Sequence, residues 1–112
     1  MELRTEVTEN SGWTVVNVYG ELDVATSPRM REVVIELVNA GSTRLVLDLD
    51  GVDFLDSTGL GTIISALKRV RTHGGQLRLV CTQSRITRLF EITGLDKAVP
   101  LLSTLDAAVA GG

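Results

Sequence analysis

The chain has 112 residues, 44% hydrophobic and 22% charged, with a formal net charge of −3; this is the composition of one soluble domain with an ordinary core, and it gives no electrostatic case for binding nucleic acid. One cysteine, Cys81, excludes an internal disulfide, and with one histidine, His73, there is no Cys/His cluster for zinc. No apolar run approaches the roughly 20 residues of a membrane span and the first residues carry no signal-peptide pattern, so a cytoplasmic protein without membrane contact is expected.

Residues 3–8 alternate Leu3, Thr5 and Val7 with Arg4, Glu6 and Thr8, a period of two that predicts a half-exposed strand. Asn10-Ser11-Gly12 is turn chemistry. Residues 13–19 are rich in β-branched and aromatic side chains and predict a second strand, antiparallel to the first. Ser27, with Pro28 at the first helical position, is expected to cap a helix. Met30, Val33, Val34, Leu37 and Val38 share its inner face, and Gly41 ends it. Residues 45–49, Leu-Val-Leu-Asp-Leu, read as a strand covered on both faces.

A second helix is expected from near Ser57, with Leu60, Ile63, Ile64, Leu67 and Val70 inward. Lys68, Arg69 and Arg71 suit the negative end of its dipole, and Gly74-Gly75 stops it. Residues 77–81 predict another strand. Ser84 is expected to cap a third helix, with Ile86, Leu89 and Phe90 inward and Gly94 at its end. Residues 99–102 predict a short strand, made an edge or an irregular one by Pro100. Ser103-Thr104-Leu105-Asp106 has the form of a capping box before a last short helix, and residues 110–112 are expected to fray. The order β-β-α-β-α-β-α-β-α predicts an α/β domain: an antiparallel opening hairpin, remaining strands parallel, and about four helices. Which helices cover which face is left open.

The informative stretch is Asp48-Leu49-Asp50-Gly51-Val52-Asp53-Phe54-Leu55-Asp56-Ser57-Thr58-Gly59-Leu60-Gly61. It runs from the C-terminal end of a buried parallel strand into a helix start, the edge of an open α/β sheet where sites collect. Ser57 is expected on the opening turn with its hydroxyl outward, and either Asp56 or Ser57 is the N-cap. Gly59 and Gly61 each cost a helix about 1 kcal/mol relative to Ala. Two in one turn imply that something large approaches that backbone. A serine at a helix start is in general a cap, and Asp53 and Asp56 also suit the positive end of the dipole. Spacing alone therefore does not make Ser57 functional.

Enzyme patterns fit less well. Leu55 stands where a nucleophile elbow needs glycine. His73 is sixteen residues further along the same helix, about 24 Å at 1.5 Å per residue, too far to serve Ser57 as a base. No Gly-x-x-x-x-Gly-Lys-Ser/Thr loop occurs. Asp48, Asp50, Asp53 and Asp56 are dispersed as solvated or capping carboxylates. No catalytic residue, cofactor or metal is expected.

Asp56-Ser57-Thr58-Gly59-Leu60-Gly61 resembles the phosphorylation motif of the bacterial anti-sigma factor antagonists, which are single STAS domains. Gly20-Glu21-Leu22-Asp23-Val24-Ala25-Thr26-Ser27-Pro28 resembles the family's first motif, and residues 45–49 its central strand. Gly94-Leu95 and the Leu101…Leu105-Asp106-Ala107-Ala108 ending are similar too. The resemblance covers essentially the whole chain and makes residues 1–112 one domain. It implies a regulatory binding protein rather than an enzyme. Such a protein binds an anti-sigma factor, commonly a serine kinase of the histidine-kinase-like ATPase type, and so releases a sigma factor. The kinase phosphorylates the residue matching Ser57, which breaks the complex, and a PP2C-type phosphatase restores binding. By the same resemblance Asp23 lies beside Ser57, and Asp23, Asp56, Thr58, Gly59 and Gly61 belong to the partner-binding set. The alternative is a scaffold or sensor STAS protein of a larger signalling assembly. A phosphorelay receiver domain would need an acidic pair where Asn10-Ser11-Gly12 stands.

Overall fold

Ser11 and Gly12 both take positive φ, 53° and 86°, so the chain reverses over two residues. The flanking segments pair antiparallel as β1 (Leu3–Asn10) and β2 (Trp13–Leu22). The computed structural model of the chain describes residues 2–110. Gly111 and Gly112, on which the expected frayed tail falls, lie outside the described residues. The order continues as α1 (Ser27–Asn39), β3 (Arg44–Leu55), α2 (Ser57–Thr72), β4 (Gln76–Val80), α3 (Ser84–Thr93), a 3-10 turn (Leu95–Lys97), β5 (Leu101–Leu102) and α4 (Leu105–Val109). Among the described residues the sheet has five strands in the order β1-β2-β3-β4-β5, with every pair after the first parallel. This is the expected mixed α/β architecture.

Side-chain alternation along the strands divides the core. Val16, Val18, Leu45, Leu47, Leu49, Leu77 and Leu79 meet Met30, Val34 and Val38 of α1, Ile63, Leu67 and Val70 of α2, and Ile86 and Phe90 of α3. Trp13, Val15, Val46 and Val80 point the other way, against Ala108 and Val109 of α4. Three helices thus cover one face and the short α4 covers part of the other, which settles the open question. Each fully buried aliphatic side chain in these layers contributes roughly 1.5–3 kcal/mol.

Trp13 is fully buried. The guanidinium groups of Arg44 and Arg78 lie 4.5 and 4.3 Å from its ring centroid, close enough for cation–π attraction. Arg78 Nη1 also donates to the carbonyls of Ala108 at 2.7 Å and Ala110 at 3.1 Å. These two bonds hold the end of α4 against the sheet. Cys81 is buried just past β4, and loss of solvation pushes its thiol pKa up.

Several boundaries differ from the sequence reading. Ser27 does not cap α1: Thr26 holds that position, Ser27 is the first helical residue, and its side chain is buried. The cause is Asp23, whose carboxylate takes the N–H groups of Ala25 and Thr26 and draws the helix entry one residue earlier. Gln83 rather than Ser84 precedes α3, and Thr104 rather than Ser103 caps α4, accepting the Ala107 N–H at 3.1 Å. The glycine stops are placed as expected. Gly41, at φ 96°, donates to Val38 while Ser42 donates to Leu37, a Schellman closure of α1. β3 runs to Leu55, well past Leu49, because residues up to Leu55 remain paired with β2 through two register irregularities. β5 shrinks to two residues behind Pro100.

Candidate functional site

Asp56 is the N-cap of α2. Its backbone is extended, and its carboxylate accepts the Gly59 N–H at 2.8 Å. Ser57 is therefore the first helical residue and takes no part in the cap. Its side chain is exposed, as is that of Thr58. The ambiguity over the cap resolves to Asp56, and the serine hydroxyl is left for something outside the helix. Asp56→Ala is expected to lower stability by about 1 kcal/mol while Asp56→Asn keeps most of it. Urea unfolding of both variants checks this, and equal losses would show that the carboxylate's charge, not its acceptor oxygen, holds the turn.

The two glycines of the motif do different things. Gly59 is buried, and a Cβ there would overlap the Leu22 carbonyl oxygen and lie 2.8 Å from Leu55 Cδ1. The large body that approaches Gly59 is thus the end of β2 in the same domain. Around a Cβ at Gly61 nothing lies within 4 Å, so this glycine leaves an open notch beside the Ser57 turn.

Contact through Leu22 brings the next loop to the same place. The Asp56 N–H reaches the Leu22 carbonyl at 3.4 Å, and Asp23 follows directly. Asp23 is only 3% exposed. Its Oδ1 accepts from the Ala25 N–H at 2.9 Å and the Thr26 N–H at 3.0 Å, while Thr26 Oγ1 donates to the Glu21 carbonyl at 2.8 Å. Its Oδ2 is buried without a partner among the described residues. Asp23 thus builds the loop that abuts the first turn of α2 from inside. Ser57, Thr58 and Gly61 lie on the outer side of that assembly.

Two residues of this end were not singled out from the sequence. Val24 is 69% exposed in the loop after β2, and Phe54 is 46% exposed near the end of β3. Phe54 sits opposite Glu21 in the β2–β3 register and Val24 follows Asp23, so both lie within a few residues of the Leu22–Asp56 contact. The signal was available for Phe54, because Val52 and Leu55 fill the core places around it and leave it out of phase. His73 is at the other end of α2, its Nδ1 2.9 Å from the Arg69 carbonyl. No helix among the described residues is long and apolar enough to cross a membrane.

Fold and site together define a small mixed α/β domain that displays a serine at a helix start behind its central strand. The STAS domain pattern matches residues 4–108, and the chain belongs to the STAS domain family. It is similar to the anti-sigma-B factor antagonist of Bacillus subtilis, with 35% identity over 97% of this chain and 99% of that protein. Its identity to the anti-sigma-B factor antagonist of Staphylococcus aureus is 39%, over 85% of this chain and 88% of that one. The crystal structure of an anti-sigma factor antagonist from Mycobacterium paratuberculosis superposes with a TM-score of 0.88 at 33% identity, covering 96% of this chain and 92% of the other.

Proposed function

We propose that this chain is an anti-sigma factor antagonist: it binds an anti-sigma factor through the sheet end that carries Ser57 and so frees a sigma factor. In this reading the anti-sigma factor is a serine kinase with a histidine-kinase-like ATPase fold. Ser57 Oγ attacks the γ-phosphorus of ATP, the bond to the bridging oxygen breaks, ADP leaves, and the hydroxyl proton passes to the kinase. The modified protein no longer binds, and a PP2C-type phosphatase hydrolyses the phosphoserine and resets it. The protein acts in the cytoplasm as a one-domain regulator and as the substrate of its partner, not as a catalyst.

The observation that carries this reading is an exposed Ser57 released from capping by Asp56. The names of the relatives supply the antagonist role. Thr58 and Gly61 contact the partner, with Val24 and Phe54 as apolar margins, while Asp23, Asp56 and Gly59 hold the turn from behind. A phosphate at this place adds about −1.5 to −2 charge. The free N–H groups and dipole of α2 tolerate it, so the domain stays folded. A partner surface fitted to a neutral hydroxyl must desolvate that dianion without a counter-charge, and the complex fails there.

The test is to incubate the purified chain with ATP and the anti-sigma factor it binds, then map phosphopeptides. One acid-stable phosphate on Ser57, absent from Ser57→Ala, is expected. Phosphate on another residue, or an acid-labile acyl phosphate, overturns the reading. A stable complex without phosphorylation favours the scaffold role.

A further inference from the structure

β4 pairs with β3 only from Arg44 to Asp48, yet β3 continues to Leu55. Its outer edge beyond Asp48 offers backbone groups that no strand satisfies. Side chains from the segment after β4 take the place of the missing strand. Gln83 Nε2 donates to the carbonyls of Asp50 at 3.0 Å and Val52 at 2.7 Å, and Arg85 Nη2 donates to that of Asp53 at 2.8 Å. In return the Asp50 carboxylate accepts the Thr82 N–H at 2.7 Å and the Thr82 hydroxyl at 3.0 Å. These five bonds grip the last stretch of chain before Ser57. On its inner edge the same stretch stays paired with β2, through register irregularities between Asn17 and Tyr19 and again between Gly20 and Glu21.

Gln83 is also the N-cap residue of α3, but its side chain makes no cap bond there. It reaches across to β3 instead, satisfying two carbonyls of that strand's end rather than the free amides of its own helix. We propose that Gln83, assisted by Arg85, is a positioning residue: it fixes the end of β3 so that the Ser57 turn meets its partner in one geometry. The inference rests on Ser57 being the docking and phosphoacceptor residue. The clamp itself is tested without any partner.

The experiment compares wild type, Gln83→Leu and Gln83→Lys as intact chains, by amide hydrogen exchange followed residue by residue. Leucine removes the donor, and lysine keeps a donor of similar reach. In Gln83→Leu the Gly59 and Leu60 amides are expected to exchange about tenfold faster, while Val16 and Leu47 in the sheet core stay unchanged. Gln83→Lys restores most of the protection. Affinity for the anti-sigma factor follows the same order, with a loss of about tenfold for leucine. Faster exchange everywhere, or nowhere, overturns the proposal, as do failure of lysine to restore it and unchanged affinity. Should Gln83→Leu not fold, Arg85→Met, which loses one exposed bond, takes its place with the same outcomes. If Ser57 proves not to accept phosphate, the exchange result still stands on its own.

Discussion

Ser57→Asp is expected to weaken binding of the anti-sigma factor by about a hundredfold or more, a loss of about 3 kcal/mol, without unfolding the domain. The two halves of this expectation come from the same position. Ser57 opens α2, where an added carboxylate meets free N–H groups and the positive end of the dipole. The melting temperature is therefore expected to stay level or rise by roughly 2–4 °C. The binding loss comes from the partner side, where a surface shaped to a hydroxyl must bury an unpaired charge. Titration calorimetry of the complex and scanning calorimetry of the free chain separate the two effects. A variant that melts far below wild type would show Ser57 to be structural, and one that binds normally would place Ser57 outside the docking surface.

The second large effect is on stability and distinguishes two glycines of one motif. Gly59→Ala drives a methyl group into the Leu22 carbonyl and towards Leu55 Cδ1. A backbone carbonyl cannot turn aside as a flexible side chain would, so a net loss of about 2 kcal/mol is expected after the helical gain of alanine is counted. Gly61→Ala meets open space and is expected to stabilise the free domain by up to about 1 kcal/mol. If the notch at Gly61 receives the partner, that same variant binds less well. Urea unfolding with both variants, at equal slopes, checks the stabilities. Equal destabilisation by the two would mean that α2 does not begin against β2 as described.

Much of this arrangement was legible in the residues. Met30, Val34 and Val38, and Ile63, Leu67 and Val70, follow helical spacing and are all buried on one face of the sheet. Gly41 and Gly94 end helices at positive φ, which side-chain-bearing residues avoid. The exposed Ser57 was legible because an apolar period restarts just beyond it. The far half of β3 was not, since Asp50, Gly51 and Asp53 are poor strand formers and are held by β2, Gln83 and Arg85 from distant parts of the chain. The cap of α1 was misplaced for a similar reason: Asp23 acts on residues two and three positions later, inside a loop whose shape spacing does not reveal. The exposure of Val24 and the burial of Asp23, adjacent in sequence, follow only from how that loop lies against α2.

The strand order β1-β2-β3-β4-β5 is also the order in which a ribosome makes the strands. Each new strand finds its neighbour already synthesised, and no strand must wait for a later one to be inserted beside it. Assembly can then advance from the hairpin outward, one pairing at a time, while the chain is still emerging at about 5–20 residues per second. Only one edge of the growing sheet waits for a new strand at any time, while the outer edge of β1 stays open from the first hairpin to the finished fold. The Ser57 turn follows β3 directly and leans on the end of β2 through Leu22, so a nascent chain in which β3 has not yet docked on β2 lacks the support that orders this turn.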